Sequence, residues 1–204
     1  MLEWCRVTPR KTRLPAVFQG LAWLIPWLLF SFLLLIACST PTPTVAPTPA
    51  GQAGTAFQLT SPAFAEGADI PTVFTCDGQD RSPPLHWSRA PAGTQSFTLI
   101  VDDPDAPGRT FTHWVLFDVP AVQSDLPEGF QPGQVGTSGR GDFGRTGYGG
   151  PCPPSGSHRY FFKLFALNVP SIGLQEGASR AEVERAMQGH VLGQAQLMGR
   201  YSRR

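Results

Sequence analysis

The chain has 204 residues, with 16 Lys+Arg against 15 Asp+Glu and 4 His, a formal net charge of +1. Four of the basic residues and one acid precede residue 38; beyond it 12 Lys+Arg face 14 Asp+Glu, a net charge of −2 with no basic run or face, which speaks against nucleic acid as a partner. About 150 residues follow position 55, the size of one domain with one core, and no internal repeat divides them.

The N-terminal segment opens with Arg6, Arg10, Lys11 and Arg13, and continues in an uncharged run from Leu14 to Ala37 that is strongly apolar over Leu28 to Ile36. A basic head, an apolar body and a small residue at the end make an export signal. The closing tetrad Leu35-Ile36-Ala37-Cys38 resembles the lipobox of bacterial lipoproteins. That resemblance implies cleavage before Cys38, a diacylglyceryl group on its sulfur and a domain tethered to a cell or envelope membrane. A plain transmembrane anchor is the alternative, since the run is long enough to span a bilayer. Residues 1–37 are thus expected to be the signal peptide. Residues 38–55 are expected to be the lipidated Cys38 and a Pro/Thr-rich linker, and 56–204 the folded domain. The linker STPTPTVAPTPAGQAGT has no charge and 4 prolines. Such a tract reads as a semi-rigid polyproline II spacer reaching up to roughly 50 Å, or as plain disorder.

Within the domain, strands are expected at Phe57–Thr60, Val73–Thr75, Leu85–Trp87, Ser96–Val101, His113–Val119, Arg159–Leu167 and, more weakly, Gln194–Tyr201. Arg159–Leu167 is apolar nearly throughout, which predicts burial on both faces. Ser179 and Glu182 have capping-box spacing, so one helix follows, with Val183, Met187 and Ala186 as its apolar stripe and Gly189 as its stop. Gly129 to Gly156 is a long Gly/Pro-rich loop, and loops of that length in compact domains are usually functional or disordered. The class is mainly β, with a helix near the C-terminus. Cys5 falls in the signal and Cys38 at its end, which leaves Cys76 and Cys152 in an exported domain: a disulfide, or two buried free thiols.

Three segments carry chemistry. Asp102-Asp103-Pro104-Asp105 packs three carboxylates at a strand end, either a solvated turn or a place where cations and donors gather. His113 begins a strand, either as a satisfied rim residue or as a ligand. A stiff loop, Gly149-Gly150-Pro151-Cys152-Pro153-Pro154, leads to His158 and Tyr160, which share one strand face because side chains alternate. Arg140 and Arg145 in the long loop attract anions or are simply solvated.

VDDPDAP (101–107), HWVLFDVP (113–120), GYGGPCPPSGSHRYFFKLFAL (147–167), the tail GHVLGQAQLMGRYSR (189–203) and FTCDGQDRSPPLHW (74–87) together resemble the phosphatidylethanolamine-binding protein family. The match is to the bacterial and archaeal, Raf kinase inhibitor-like branch. It spans about Phe57 to Arg203 and implies an antiparallel β-sandwich with a Greek-key element. It implies further a small surface pocket for phosphate-like anions or phospholipid headgroups, lined by Asp103, Asp105, His113, Gly150, Pro154, His158 and Tyr160. A cis peptide at a pocket proline is also implied, with Pro107 the candidate. In such a pocket an acid beside imidazole raises the histidine pKa, so two partly protonated histidines, glycine-loop amides and the tyrosine hydroxyl would meet the anion. The carboxylates would meet an ammonium. The expected function is a membrane-tethered, non-catalytic binding module without cofactor or metal, open to modulating a protein partner. The rival is a hydrolase using a metal on His113, His158 and an aspartate, or Asp/His acid–base chemistry, with Cys152 as a conceivable nucleophile. No HExxH, CxxC or GxSxG motif supports that rival. A structural envelope protein with a vestigial pocket is a third reading.

Overall fold

The computed structural model describes residues 56–203. The signal, Cys38 and linker expectations lie outside the described residues. Among the described residues no helix is long and apolar enough to cross a membrane.

Eight strands form two antiparallel sheets. β1 (Gln58–Thr60), β2 (Leu85–Ser88) and β5 (Asp125–Leu126) make a three-stranded sheet in the order β1-β2-β5. β3 (Ser96–Asp103), β4 (Phe111–Pro120), β6 (Thr137–Ser138), β7 (Ser157–Leu167) and β8 (Val191–Ser202) make the other, in the order β6-β4-β3-β7-β8. After β6 the chain returns past two strands to set β7 beside β3, which is the Greek-key element. The mainly β sandwich with one short helix agrees with the class expected from the sequence.

The main core lies between the sheets. Phe97, Leu99 and Val101 of β3, Trp114 and Leu116 of β4, and Tyr160, Phe162 and Leu164 of β7 meet Leu59, Leu85, Trp87 and Leu126 of the smaller sheet. The outer face of the large sheet has its own layer, in which Ile100, Val115 and Phe117 pack against Val183 of the helix α1 (Arg180–Ala186) and Met187 at its C-cap. β3, central and covered on both sides, is buried at every position. β7 instead alternates, with Phe161, Lys163 and Phe165 only half-buried, so the two-faced burial predicted for it belongs to β3. The cause is coverage: α1 packs on β4, and its Val183 shares the outer cluster with Ile100 of β3.

A second departure is local. Val73–Thr75, expected to be a strand, lies mostly in a 3₁₀ turn over Thr72–Phe74. Pro71 fixes its entry, the Phe74 amide donates to the Pro71 carbonyl at 2.9 Å, and the Thr75 hydroxyl donates to the Thr72 carbonyl at 2.8 Å. The helix follows its signals: the Ser179 amide donates to Glu182 Oε2 at 2.8 Å while the Ser179 hydroxyl accepts from the Glu182 amide at 3.4 Å.

One buried charge ties α1 to the sheet. Asp102 is fully buried on the outer face, and its Oδ2 accepts from Lys163 Nζ and Arg180 Nη1, each at 2.7 Å. Arg180 also holds Glu184 at 2.6 Å. Asp102→Ala should therefore lower the free energy of unfolding by about 1.5–3 kcal/mol, since hydrogen bonds to charged groups are worth that much and both cations can reach water once freed. Urea unfolding checks it; an unchanged midpoint would mean that the triad carries no net stability.

Candidate functional site

At the end of the large sheet where β3 stops, four polar side chains reach the inner face. The β3–β7 register sets Asp102 against Phe161, so Asp103 neighbours Tyr160, and His158 shares the face of Tyr160 two residues earlier. His113 joins them by a break in register. Trp114 pairs with Val101, but Asp102 pairs with Thr112, so His113 is an extra residue in β4 with no Cα partner on β3. This β-bulge reverses the strand's facing. Trp114 points into the main core, yet so does its neighbour His113, whose ring is 5.1 Å from that of Tyr160, while Thr112 lines a groove on the α1 side with Arg180.

Asp103 organises the cluster. Its Oδ2 accepts from His158 Nδ1 at 2.7 Å, and its Oδ1 accepts from the Asp105 amide at 2.8 Å, closing the turn at Pro104. A carboxylate only accepts, so His158 Nδ1 carries the proton and Nε2 is left for another partner. His113 is fixed in the same sense: its Nδ1–H donates to the Gly149 carbonyl at 2.8 Å, and the Gly149 amide donates back to the His113 carbonyl at 3.1 Å. Both imidazoles thus have one committed and one uncommitted nitrogen. Asp103 is 3% exposed, His113 4%, His158 7% and Tyr160 0%, so the cluster is almost wholly buried. The larger surface hollows lie elsewhere.

The protonation of His113 differs from the partial charge expected of it. Burial lowers the His113 pKa from its ordinary 6.5, outweighing the Gly149 carbonyl and the Asp103 charge, so His113 is neutral at pH 7. Tyr160 is pushed well above the ordinary tyrosine value, first by burial and then by Asp103, and stays a phenol. Asp103 and the Cys152 backbone lie close to its hydroxyl, but neither has bonding geometry, and the buried Oη has no partner.

Asp105 is placed differently. Arg159 binds its carboxylate through the backbone N at 2.9 Å, Nε at 2.8 Å and Nη2 at 2.6 Å, and these bonds hold its pKa at about 2. Asp105 is a rim latch held by a guanidinium, while Asp103 is engaged by His158 and a backbone amide. The Gly150 amide is likewise committed, donating to Asp80 Oδ1 at 2.6 Å. Gly150 must be glycine because a Cβ would sit 2.5 Å from the Phe74 carbonyl oxygen and 2.7 Å from Asp80 Oδ1. Pro154 is exposed on the loop crest, whereas Pro151 and Pro153 are the buried prolines. Pro107 is exposed, and every peptide bond among the described residues is trans, against the cis bond expected there. Arg145 pairs with Asp80 Oδ2 at 2.9 Å and lies over the Phe143 ring, while Arg140 is exposed.

Several contributors were not foreseen. Asp80, with a left-handed φ of 51°, joins Gly150 to Arg145. Phe111 and Phe143 pack edgewise on His113 with ring centroids at 5.1 and 5.3 Å and wall its outer side. Phe111, two residues from His113 on β4, was discoverable as part of that strand; Asp80 and Phe143 are brought in by loops and carry no local signal. Cys76 and Cys152 are joined in a disulfide with Cα atoms 5.4 Å apart. Among the described residues no three His, Cys, Asp or Glu side chains converge as a metal-binding set.

Comparison with known proteins places these features in a wider group. The family model described as "Phosphatidylethanolamine-binding protein" matches residues 60–202. A UPF0098 protein of Aquifex aeolicus is 53% identical over 155 residues, covering 74% of this chain and 91% of that protein. One from Methanothermobacter thermautotrophicus is 46% identical over 151 residues, covering 72% and 99%. Among crystal structures, CT736 of Chlamydia trachomatis, described as a homologue of phosphatidylethanolamine-binding protein, superposes with a TM-score of 0.70 at 38% identity, covering 74% of this chain and all of that one. YbcL of Escherichia coli, described as a new member of the mammalian PEBP family, gives 0.68 at 34% identity, covering 72% and 99%.

The His113 assignment makes a prediction of definite sign. Its folded pKa lies below the unfolded value of about 6.5, so its contribution to stability is present above that value and is lost as pH falls through it. An NMR titration without added anion should find the His113 midpoint below 6.5. A midpoint above it would mean that the imidazole is charged in the resting site.

Proposed function

For a chain that belongs to the phosphatidylethanolamine-binding protein family, we propose that the Asp103, His113, His158 and Tyr160 cluster is a non-catalytic seat for a phosphate-like oxyanion, free or at the end of a phospholipid headgroup. The observation that carries this reading is the unpartnered hydroxyl of Tyr160. An orphaned polar group in a buried setting costs about 1–3 kcal/mol, and of the six such side-chain atoms among the described residues Tyr160 Oη belongs to the ring that packs against both imidazoles. Two imidazoles whose Nδ1 atoms are already tied stand beside it, with ring centroids 5.1 and 6.5 Å from the Tyr160 ring.

An anion at this cluster would meet His158 Nε2, the Tyr160 hydroxyl and His113. Because His113 rests neutral with its proton on Nδ1, its Nε2 faces an incoming oxygen as a lone pair. The anion therefore binds together with a proton, and the imidazolium that forms becomes a donor. Asp103 orients His158 and balances the charge that accumulates. The near-complete burial of the cluster favours one small tetrahedral group over an acyl chain. The lipobox resemblance at Cys38 supports placing this domain on a membrane within reach of lipid headgroups, with modulation of a protein partner as a further role. A hydrolase reading draws less support, because Cys152, its conceivable nucleophile, is in a disulfide.

Sulfate keeps a constant charge near neutrality and so separates protein titration from ligand titration. Its affinity, read by calorimetry, should rise by about tenfold per unit as pH falls from about 8 to about 6, the signature of one proton taken up. Tyr160→Phe should weaken sulfate binding about tenfold while leaving the unliganded protein as stable or about 1 kcal/mol more stable, because an unpaired buried hydroxyl is removed. His158→Ala should abolish binding. Undiminished sulfate affinity in both variants would place the ligand elsewhere.

A further inference from the structure

The proline loop that overhangs the cluster is attached unevenly. Up to Pro151 it is hydrogen-bonded: the Gly149 amide to His113, the Gly150 amide to Asp80, and the Pro151 carbonyl to the Cys76 amide at 3.1 Å. From Cys152 to Gly156 no hydrogen bond to the rest of the described chain is formed, and Pro153 and Pro154 have no N–H to offer. The span that delivers His158 to Asp103 is therefore fastened by the Cys76–Cys152 bridge and then by β7 itself. Both halves of the bridge touch the site. The Cys152 backbone lies against the Tyr160 hydroxyl. On the other side Asp77, next to Cys76, accepts from the Tyr201 hydroxyl at 2.8 Å, and Tyr201 is the β8 partner of His158. The bridge is also reachable: Cys76 is exposed and Cys152 half-buried.

We propose that Cys76–Cys152 is a thiol–disulfide exchange site for a dithiol protein, and that opening it slackens the anion seat; the second clause rests on the anion-site reading above. A thiolate of the dithiol attacks the exposed Cys76 Sγ, forming a mixed disulfide, and Cys152 leaves as a thiolate that takes a proton. The second thiol of the reductant then attacks its own sulfur in the mixed bond and releases Cys76 as a thiol. Two electrons pass from the dithiol to the bridge, and the dithiol ends as a disulfide. Without the bridge, the run from Cys152 to Gly156 has no tie to the Thr72–Phe74 turn. The Tyr160 hydroxyl and the His158–Asp103 pair then gain access to water, which weakens their grip on an oxyanion.

The test uses the full chain in detergent with dithiothreitol as the dithiol and sulfate as the anion. Alkylation and mass spectrometry should show the bridge reduced while the protein stays folded. Amide exchange at Cys76 and Gly150, whose N–H groups tie the loop to the Pro151 carbonyl and to Asp80, should quicken by at least about tenfold. Sulfate affinity should drop about tenfold. The Cys76→Ser/Cys152→Ser variant should match the reduced protein in both readouts and ignore the dithiol. A bridge that stays oxidised in the folded protein, or a reduced protein with unchanged exchange, would overturn the proposal. Faster exchange with unchanged sulfate affinity would overturn the link to the anion seat. If the oxidised chain does not bind sulfate at all, the anion-site reading fails, and alkylation and exchange alone decide whether the bridge is an exchange site.

Discussion

A single extra residue in β4 determines what this fold presents at the end of its large sheet. Strand side chains alternate, so His113, adjacent to the core residue Trp114, would otherwise point to the helix side beside Arg180. The bulge between Trp114 and Thr112 turns His113 inward, to within 5.1 Å of the Tyr160 ring. The same reversal leaves Thr112 on the outer face, where the alternation of β3 itself puts Asp102. Two adjacent aspartates thereby serve opposite layers. Asp102 takes Lys163 and Arg180 and fastens α1, while Asp103 takes His158 and orders the site.

The electrostatics of the cluster follow from burial more than from the charge count. Three carboxylates in four residues look like a cation site, yet each already accepts from a different donor group, although the outer-face Oδ1 of Asp102 has no partner. Lys163 and Arg180 hold Asp102, His158 and a backbone amide hold Asp103, and Arg159 holds Asp105. What remains open is the Tyr160 hydroxyl and the second nitrogen of each imidazole, which donates once that ring is protonated. An arrangement whose acceptors are filled and whose donors are not is complementary to an oxyanion.

Much of this was legible in the sequence, and what was not has a common physical origin. Period-two alternation put His158 and Tyr160 on one face, and the capping box at Ser179 and Glu182 marked the helix start correctly. The resemblance to the phosphatidylethanolamine-binding protein family supplied the sandwich and the convergence of β3, β4 and β7. Alternation could not show the bulge, because one unpaired residue in a strand leaves no compositional trace. Nor could it show which proline of Pro151-Cys152-Pro153-Pro154 turns inward, since loop facing is set by contacts distant in sequence. Asp80 escaped notice for the same reason: its partners, Arg145 and Gly150, lie 65 and 70 residues away. The depressed pKa of His113 reversed the expected charge because burial outweighed the nearby acid, and burial is a property of the fold.

The most direct measurement is the imidazole nitrogen NMR spectrum of the full chain during a sulfate titration. The chain has 4 histidines, and His86 and His190 lie outside the cluster and serve as internal controls. The account predicts that the Nε2 signals of His113 and His158 move together and saturate, with His113 shifting toward the imidazolium position, while His86 and His190 stay in place. Equal small drifts at all of them, or a saturable shift confined to His86 or His190, would contradict it.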